Sequence, residues 1–125
     1  MFPVVSVRIP VMNENAELPI EIDVQQVKDL LDKQVDFLFL DCREPDEHQF
    51  CRVEQAQLIP LRQIPGKKQV FLEQAEQRVV VMCHHGVRSM NAAQWLRANG
   101  ITNVQSMAGG IEEWSLRIDP SVPRY

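Results

Sequence analysis

The stretch Val79-Val80-Val81-Met82-Cys83-His84-His85-Gly86-Val87-Arg88-Ser89 decides the fold. Its first half is a short, unbroken apolar run, the pattern of a strand covered on both faces of a parallel sheet. From Arg88 to Asn99 the pattern changes period: Ala92, Ala93 and Leu96 recur at helical spacing, and Gly100 stands where a left-handed helix stop is expected. A buried strand, a tight loop and a helix in immediate succession predict an α/β unit with Cys83 at the carboxyl end of the strand.

Working outward, Phe37-Leu38-Phe39-Leu40 is a second run of the same kind. Before it, Asp23 and Gln26 have the spacing of a capping box, with Ile22 placed to staple onto Val27, which predicts a helix from Val24 to about Asp32. Gln57-Leu58-Ile59 reads as a weaker strand, Lys68 to Gln77 as a helix resting on Val70, Phe71, Leu72 and Ala75, and Asn103 to Met107 as another strand. A last helix spans about Ile111 to Leu116, with Trp114 as its core anchor. This alternation predicts a three-layer α/β fold, a mostly parallel central sheet flanked by helices on both faces. Ligands of such sheets bind beyond the carboxyl ends of the strands. Asp41-Cys42-Arg43-Glu44, Cys83 to Ser89 and Ala108-Gly109-Gly110 each follow a strand, so the topology gathers all three at one edge. Residues 1–19 read as an N-terminal extension in which Val5, Val7, Ile9 and Val11 alternate as an edge strand weakened by Pro10, and residues 20–125 as the domain proper.

A chain of 125 residues with 45% hydrophobic and 24% charged side chains suits one globular domain with a core of its own. The net charge of −4 speaks against a nucleic-acid footprint. No apolar run approaches the length of a membrane span and the start lacks a secretory pattern, so a cytoplasmic location without membrane attachment is expected. Cys42, Cys51 and Cys83 include no Cys-x-x-Cys pair. They argue against a disulfide framework and for a reduced compartment in which one thiol is free for chemistry.

Cys83 ends a strand and precedes a helix, where the positive end of the helix favours a thiolate. Thiol pKa falls from roughly 8.5 into about the 3.5–7.5 range in such settings, and the thiolate is the nucleophile. Arg88 supplies a nearby fixed positive charge. A loop this tight turns the backbone N–H groups of His84 to Ser89 inward as an anion nest, with Gly86 giving it conformational freedom. The bland alternative is a cysteine that merely fills a small core position.

Cys83-His84-His85-Gly86-Val87-Arg88-Ser89, preceded by Asp41-Cys42-Arg43-Glu44-Pro45 and followed by Ala108-Gly109-Gly110-Ile111-Glu112-Glu113-Trp114, resembles the rhodanese-like (thiosulfate sulfurtransferase) family in motif and order. The resemblance covers about Ile22 to Tyr125. It implies a sulfurtransferase that moves a sulfane sulfur from thiosulfate or a persulfide donor to a nucleophilic acceptor through a persulfide on Cys83. In that scheme Cys83 and Arg88 are catalytic, the loop His84, His85, Gly86, Val87, Arg88 and Ser89 holds the persulfide, and Asp41 and Arg43 play supporting parts. Asp41 would tie loops together, whereas Arg43 either aids an anionic donor or is simply solvated or salt-bridged. No cofactor or metal is implied. The partners would be a small sulfur donor and a sulfur-acceptor or sulfur-carrier protein.

Four residues separate Cys83 from Arg88, where the related phosphatases carry five, so the resemblance favours sulfur over phosphate. Retention of both residues disfavours a non-catalytic binding module. The ending Ile118 to Tyr125 resembles rhodanese domains fused to adenylating enzymes, which implies as an alternative a relay step in cofactor sulfuration on a partner protein. The chain departs from the family pattern twice. Glu54-Gln55-Ala56 replaces a Gly-containing turn, and Cys42 stands where an aliphatic residue is usual. Cys42 is expected to be a buried spectator; the sharper alternative is that it resolves the Cys83 persulfide as a disulfide.

Overall fold

The computed structural model describes residues 18–125. The expected edge strand between Val5 and Val11 therefore lies outside the described residues. In chain order the elements are β1 Glu21–Ile22, α1 Val24–Asp32, β2 Phe37–Asp41, α2 Pro45–Phe50, β3 Gln57–Leu58, two 3-10 turns at Leu61–Gln63 and Pro65–Lys67, α3 Lys68–Glu73, β4 Arg78–Met82, α4 Val87–Ala98, β5 Val104–Met107 and α5 Gly110–Arg117. The five strands form one sheet in the order β1-β5-β4-β2-β3, every pair of neighbours parallel.

Strand alternation divides the core into two layers. Phe39, Val80, Met82 and Met107 face Val24 and Val27 of α1 and Ile111 and Trp114 of α5. Leu40, Val79, Val81 and Val104 face Phe71 of α3 and Ala92, Ala93 and Leu96 of α4. The expected three-layer fold is thus the observed one. β2 and β4 are covered on both sides, which is why their sequences are continuous apolar runs.

The capping box that starts α1 is present: the Asp23 carboxylate accepts from the Gln26 amide and the Gln26 side chain accepts from the Asp23 amide, both at 3.0 Å. Trp114 is buried and its ring meets Phe39 at 6.2 Å between centroids. Gly100 has φ +94° just past α4, the left-handed stop that its position predicts. α3 is shorter than expected, ending at Glu73, and Val70 is exposed rather than core-facing. α2, β1 and the two 3-10 turns are additions to the elements read from the sequence.

Candidate active site

The loops after β2, β4 and β5 meet at the carboxyl edge of the sheet, and hydrogen bonds lock them together. The Ile111 amide donates to the Cys83 carbonyl at 2.8 Å and the Glu112 amide to the His84 carbonyl at 3.2 Å. The start of α5 thereby engages the carbonyls of the cysteine loop from outside, while amides of the same loop face inward. Such contact requires backbones to touch. A Cβ at Gly110, which has φ +61°, would run into the Cys83 and His84 carbonyls, and one at Gly86, φ +105°, would sit 3.2 Å from the Gly109 nitrogen.

The Cys83 sulfur lies at the centre of this junction, 1% exposed. It accepts from the Gly86 amide at 3.1 Å and the Ser89 amide at 3.3 Å, at the N-terminal end of α4. Ser89 Oγ is 3.4 Å from the sulfur and 2.7 Å from Ser106 Oγ on β5. With Ser106 donating to Ser89, the Ser89 proton is left for a Cys83 thiolate at 3.4 Å or for the Gly86 carbonyl at 3.2 Å. The Cys83 thiol is pulled down to about 4, first by a hydrogen bond from the Cys42 thiol and then, against the opposing effect of burial, by the Ser89 hydroxyl and the Ser89 and Gly86 amides. These short-range donors lead the effect. Two of them are amides of the expected loop nest at the start of the helix, whereas Arg88 is paired with Glu47.

Arg88 is turned toward Glu47 of α2, with Nη1 and Nη2 donating to Oε1 and Oε2 at 2.7 and 2.9 Å. Glu47 also accepts from the Glu44 amide at 2.9 Å and the Tyr125 hydroxyl at 2.7 Å. The Arg88 guanidinium, outweighing partial burial, holds the Glu47 carboxyl down at about 2. An anion that approaches Arg88 has this carboxylate as its competitor.

Asp41 and Arg43 are both wholly buried and form an ion pair at 2.7 Å. Asp41 accepts from the Arg43 backbone amide at 3.1 Å and from Nε at 2.9 Å. The rest of the guanidinium donates to the Cys51 carbonyl at 2.7 Å, the Tyr125 hydroxyl at 2.9 Å and the Glu47 carbonyl at 3.4 Å. The Asp41 side chain bonds Arg43 alone, and it is Arg43 that reaches the other segments. Arg43 takes the salt-bridged one of its two readings, its N–H groups spent inside the protein on Asp41, Cys51, Tyr125 and Glu47.

His84 stacks on Tyr125, ring centroids 3.8 Å apart and planes 6° from parallel, and the His85 ring lies 3.9 Å from that of His84 between centroids, tilted by 31°. Val87, Phe50 and Tyr125 are exposed around the loop, and Phe50 packs edge-on against Tyr125 at 5.8 Å. Glu47, Ser106 and Tyr125 were not among the residues singled out from the sequence. Ser106 follows from the parallel register once β5 is placed. Tyr125 and Glu47 are joined across 78 residues by a contact that no periodicity announces.

Residues 23–117 match the family model described as Rhodanese-like domain. The chain is 34% identical over 97 residues to thiosulfate sulfurtransferase GlpE of Vibrio cholerae, covering 76% of this chain and 87% of that protein. It is 30% identical over 109 residues to adenylyltransferase and sulfurtransferase MOCS3-1 of Zea mays, covering 83% of this chain and 23% of that one. The chain spans 36% of the length of another larger relative, so some of the proteins it matches are several times longer. Among solved structures, the human single domain sulfurtransferase TSTD1 is similar with a TM-score of 0.68 at 25% identity, covering 80% of this chain and 98% of that one.

Proposed function

The chain belongs to the rhodanese-like family of sulfurtransferases, and from that premise we propose that it moves a sulfane sulfur from thiosulfate or a persulfide donor to a nucleophilic acceptor through a persulfide on Cys83. The observation that carries this reading is the setting of one sulfur atom: Cys83 Sγ accepts from two backbone amides at 3.1 and 3.3 Å and sits beside the Ser89 hydroxyl. Donors fixed in advance stabilise a negative sulfur without reorganising.

The Cys83 thiolate attacks the outer sulfur of the donor. With thiosulfate, the new S–S bond forms as the old one breaks, and sulfite leaves with the bonding electrons. The acceptor then attacks the outer sulfur and Cys83 departs as a thiolate, so the chemistry is covalent and two-step. A depressed thiol pKa serves both halves, raising the fraction of attacking thiolate and making it a better leaving group. Arg88 orients the oxyanions of the donor once they displace Glu47. Arg43 and Asp41 hold the β2 loop in place beneath the site.

Incubation with thiosulfate and cyanide tests the reading. Thiocyanate is expected from the wild type and none from Cys83→Ser. A Cys83→Ser protein that still makes thiocyanate at the wild-type rate overturns it.

A second reading, relay of the sulfur to a partner protein, is favoured by the exposed apolar rim of Phe50, Val87 and Tyr125 around the loop and by the likeness to a relative whose name includes adenylyltransferase. A protein acceptor would bury this rim as it brings its nucleophile to Cys83.

A further inference from the structure

β2 and β4 pair in register from Phe37↔Arg78 to Asp41↔Met82, and one step further the Cys42 amide donates to the Met82 carbonyl at 3.0 Å. Cys42 and Cys83 are the next opposed positions on these neighbouring parallel strands. Side chains alternate along a strand, so Cys42 shares a face with Leu40 and Cys83 with Val81, and all four lie in the core layer under α4. Adjacent strands are ~4.8 Å apart, inside the range of about 4.4–6.8 Å between Cα atoms that a disulfide spans. Both thiols are shut off from solvent, 0% and 1% exposed. The third cysteine, Cys51, belongs to the core layer on the other side of the sheet. An aliphatic side chain would fill the position of Cys42, but only a thiol presents a second sulfur to the nucleophile.

We propose that Cys42 is an internal acceptor for sulfur carried on Cys83, discharging it as hydrosulfide and leaving a Cys42–Cys83 disulfide. This rests on the reading that Cys83 carries a persulfide, and gives that site a further outcome, sulfide release. In the step, Cys42 yields its proton to the outer sulfur and its own sulfur bonds to Cys83 Sγ. The bond from Sγ to the outer sulfur breaks, and the outer sulfur leaves as HS⁻ with the electron pair. The sulfane sulfur gains two electrons and the two cysteine sulfurs together lose two, so no external oxidant is needed. Return to the dithiol requires a thiol reductant, either a protein dithiol or a low-molecular-weight thiol.

Loading the site also arms it. While Cys83 is a thiolate, the hydrogen bond to it is the main reason that the Cys42 thiol is held far above the ordinary range, with burial adding to the effect. Cys42 is then inert. Once Cys83 holds a persulfide, the negative charge lies on the outer sulfur, ~2 Å further out, and Sγ facing Cys42 has become an electrophile. The neighbour that kept the Cys42 proton in place is gone.

The test is a single turnover without external thiol. Reduced wild type, Cys42→Ala and Cys42→Val are loaded with thiosulfate, or with glutathione persulfide, desalted, and followed by intact mass and by assay of released sulfide. The wild type should release close to one equivalent of sulfide per chain and end two hydrogens lighter than the reduced protein, with Cys42 and Cys83 joined in the peptide map. Both variants should keep one added sulfur on Cys83 and release little sulfide over the same interval. Wild type that keeps its added sulfur as long as the variants do overturns the Cys42 inference and leaves the persulfide reading standing. If no protein gains sulfur from either donor, both fall together.

Discussion

Glu47 holds Arg88 by both carboxylate oxygens, at 2.7 and 2.9 Å, across 41 residues of sequence. The cation at the end of the cysteine loop is thus already paired before a donor arrives. A dianionic donor meets a competing carboxylate, whereas a donor recognised through its sulfur alone does not.

Replacing Glu47 by Gln should therefore favour thiosulfate. The amide keeps an acceptor for Tyr125 or the Glu44 amide but gives up the charge that competes for Arg88. KM for thiosulfate is expected to fall by about three- to tenfold, about 0.7–1.4 kcal/mol, with kcat changed less. Steady-state kinetics with cyanide as acceptor measure it, and an unchanged or higher KM would contradict this role.

The pH dependence of Cys83 follows from its thiol lying at about 4 rather than at 9.0. The thiolate is the reactive form, so the rate of iodoacetamide inactivation should stay nearly flat from pH 9 down to about 5 and fall to half near 4. An ordinary thiol would lose about tenfold per unit below its pKa. The same shift bears on stability. Between 4 and 9 the unfolded chain holds the proton and the folded one does not, so the contribution is present in full above 9 and is lost as pH falls to 4. Denaturant midpoints of wild type and Cys83→Ser should converge as pH falls across that window.

Ser106→Ala removes the hydroxyl that can donate to Ser89 and so free the Ser89 proton for the sulfur. One hydrogen bond of ordinary strength is worth about 1 kcal/mol, or somewhat under one pKa unit. The midpoint of the iodoacetamide profile should rise by about half to one unit. A midpoint that does not move would remove Ser106 from the thiolate's support.

Arg43→Met leaves the wholly buried Asp41 carboxylate without its partner. Breaking one side of a buried pair costs about 3–5 kcal/mol, which urea unfolding should register as a large drop in midpoint. A loss under about 1 kcal/mol would contradict a structural role for the pair.

Particular residues show where the sequence was legible. Phe37 to Leu40 and Val79 to Met82 announced themselves because strands covered on both faces must be apolar throughout, and Asp23 with Gln26 because a cap has fixed chemistry at fixed spacing. α2 leaves no periodic signal, since none of its six residues is buried and no apolar face exists to be read. α3 is shorter than its sequence pattern because Ala75 continues the apolar spacing after the backbone has left the helix at Glu73. At the site, Cys83, Gly86 and Ser89 were readable from the loop itself. That Cys42 lies near Cys83 was legible too, as one of two alternatives, because both end strands at the same edge. Their direct opposition, the grip of Glu47 on Arg88 and the stacking of Tyr125 on His84 depend on strand order and on the return of the chain end, which local pattern does not encode.

The most direct measurement is peptide mass spectrometry of the wild-type protein, quenched by alkylation within the first turnover after addition of thiosulfate or glutathione persulfide. One added sulfur on the peptide that holds Cys83, absent from Cys83→Ser, is the expected result. Sulfur found on Cys51, or added equally to Cys83→Ser, would contradict the assignment of Cys83 as the sulfur carrier.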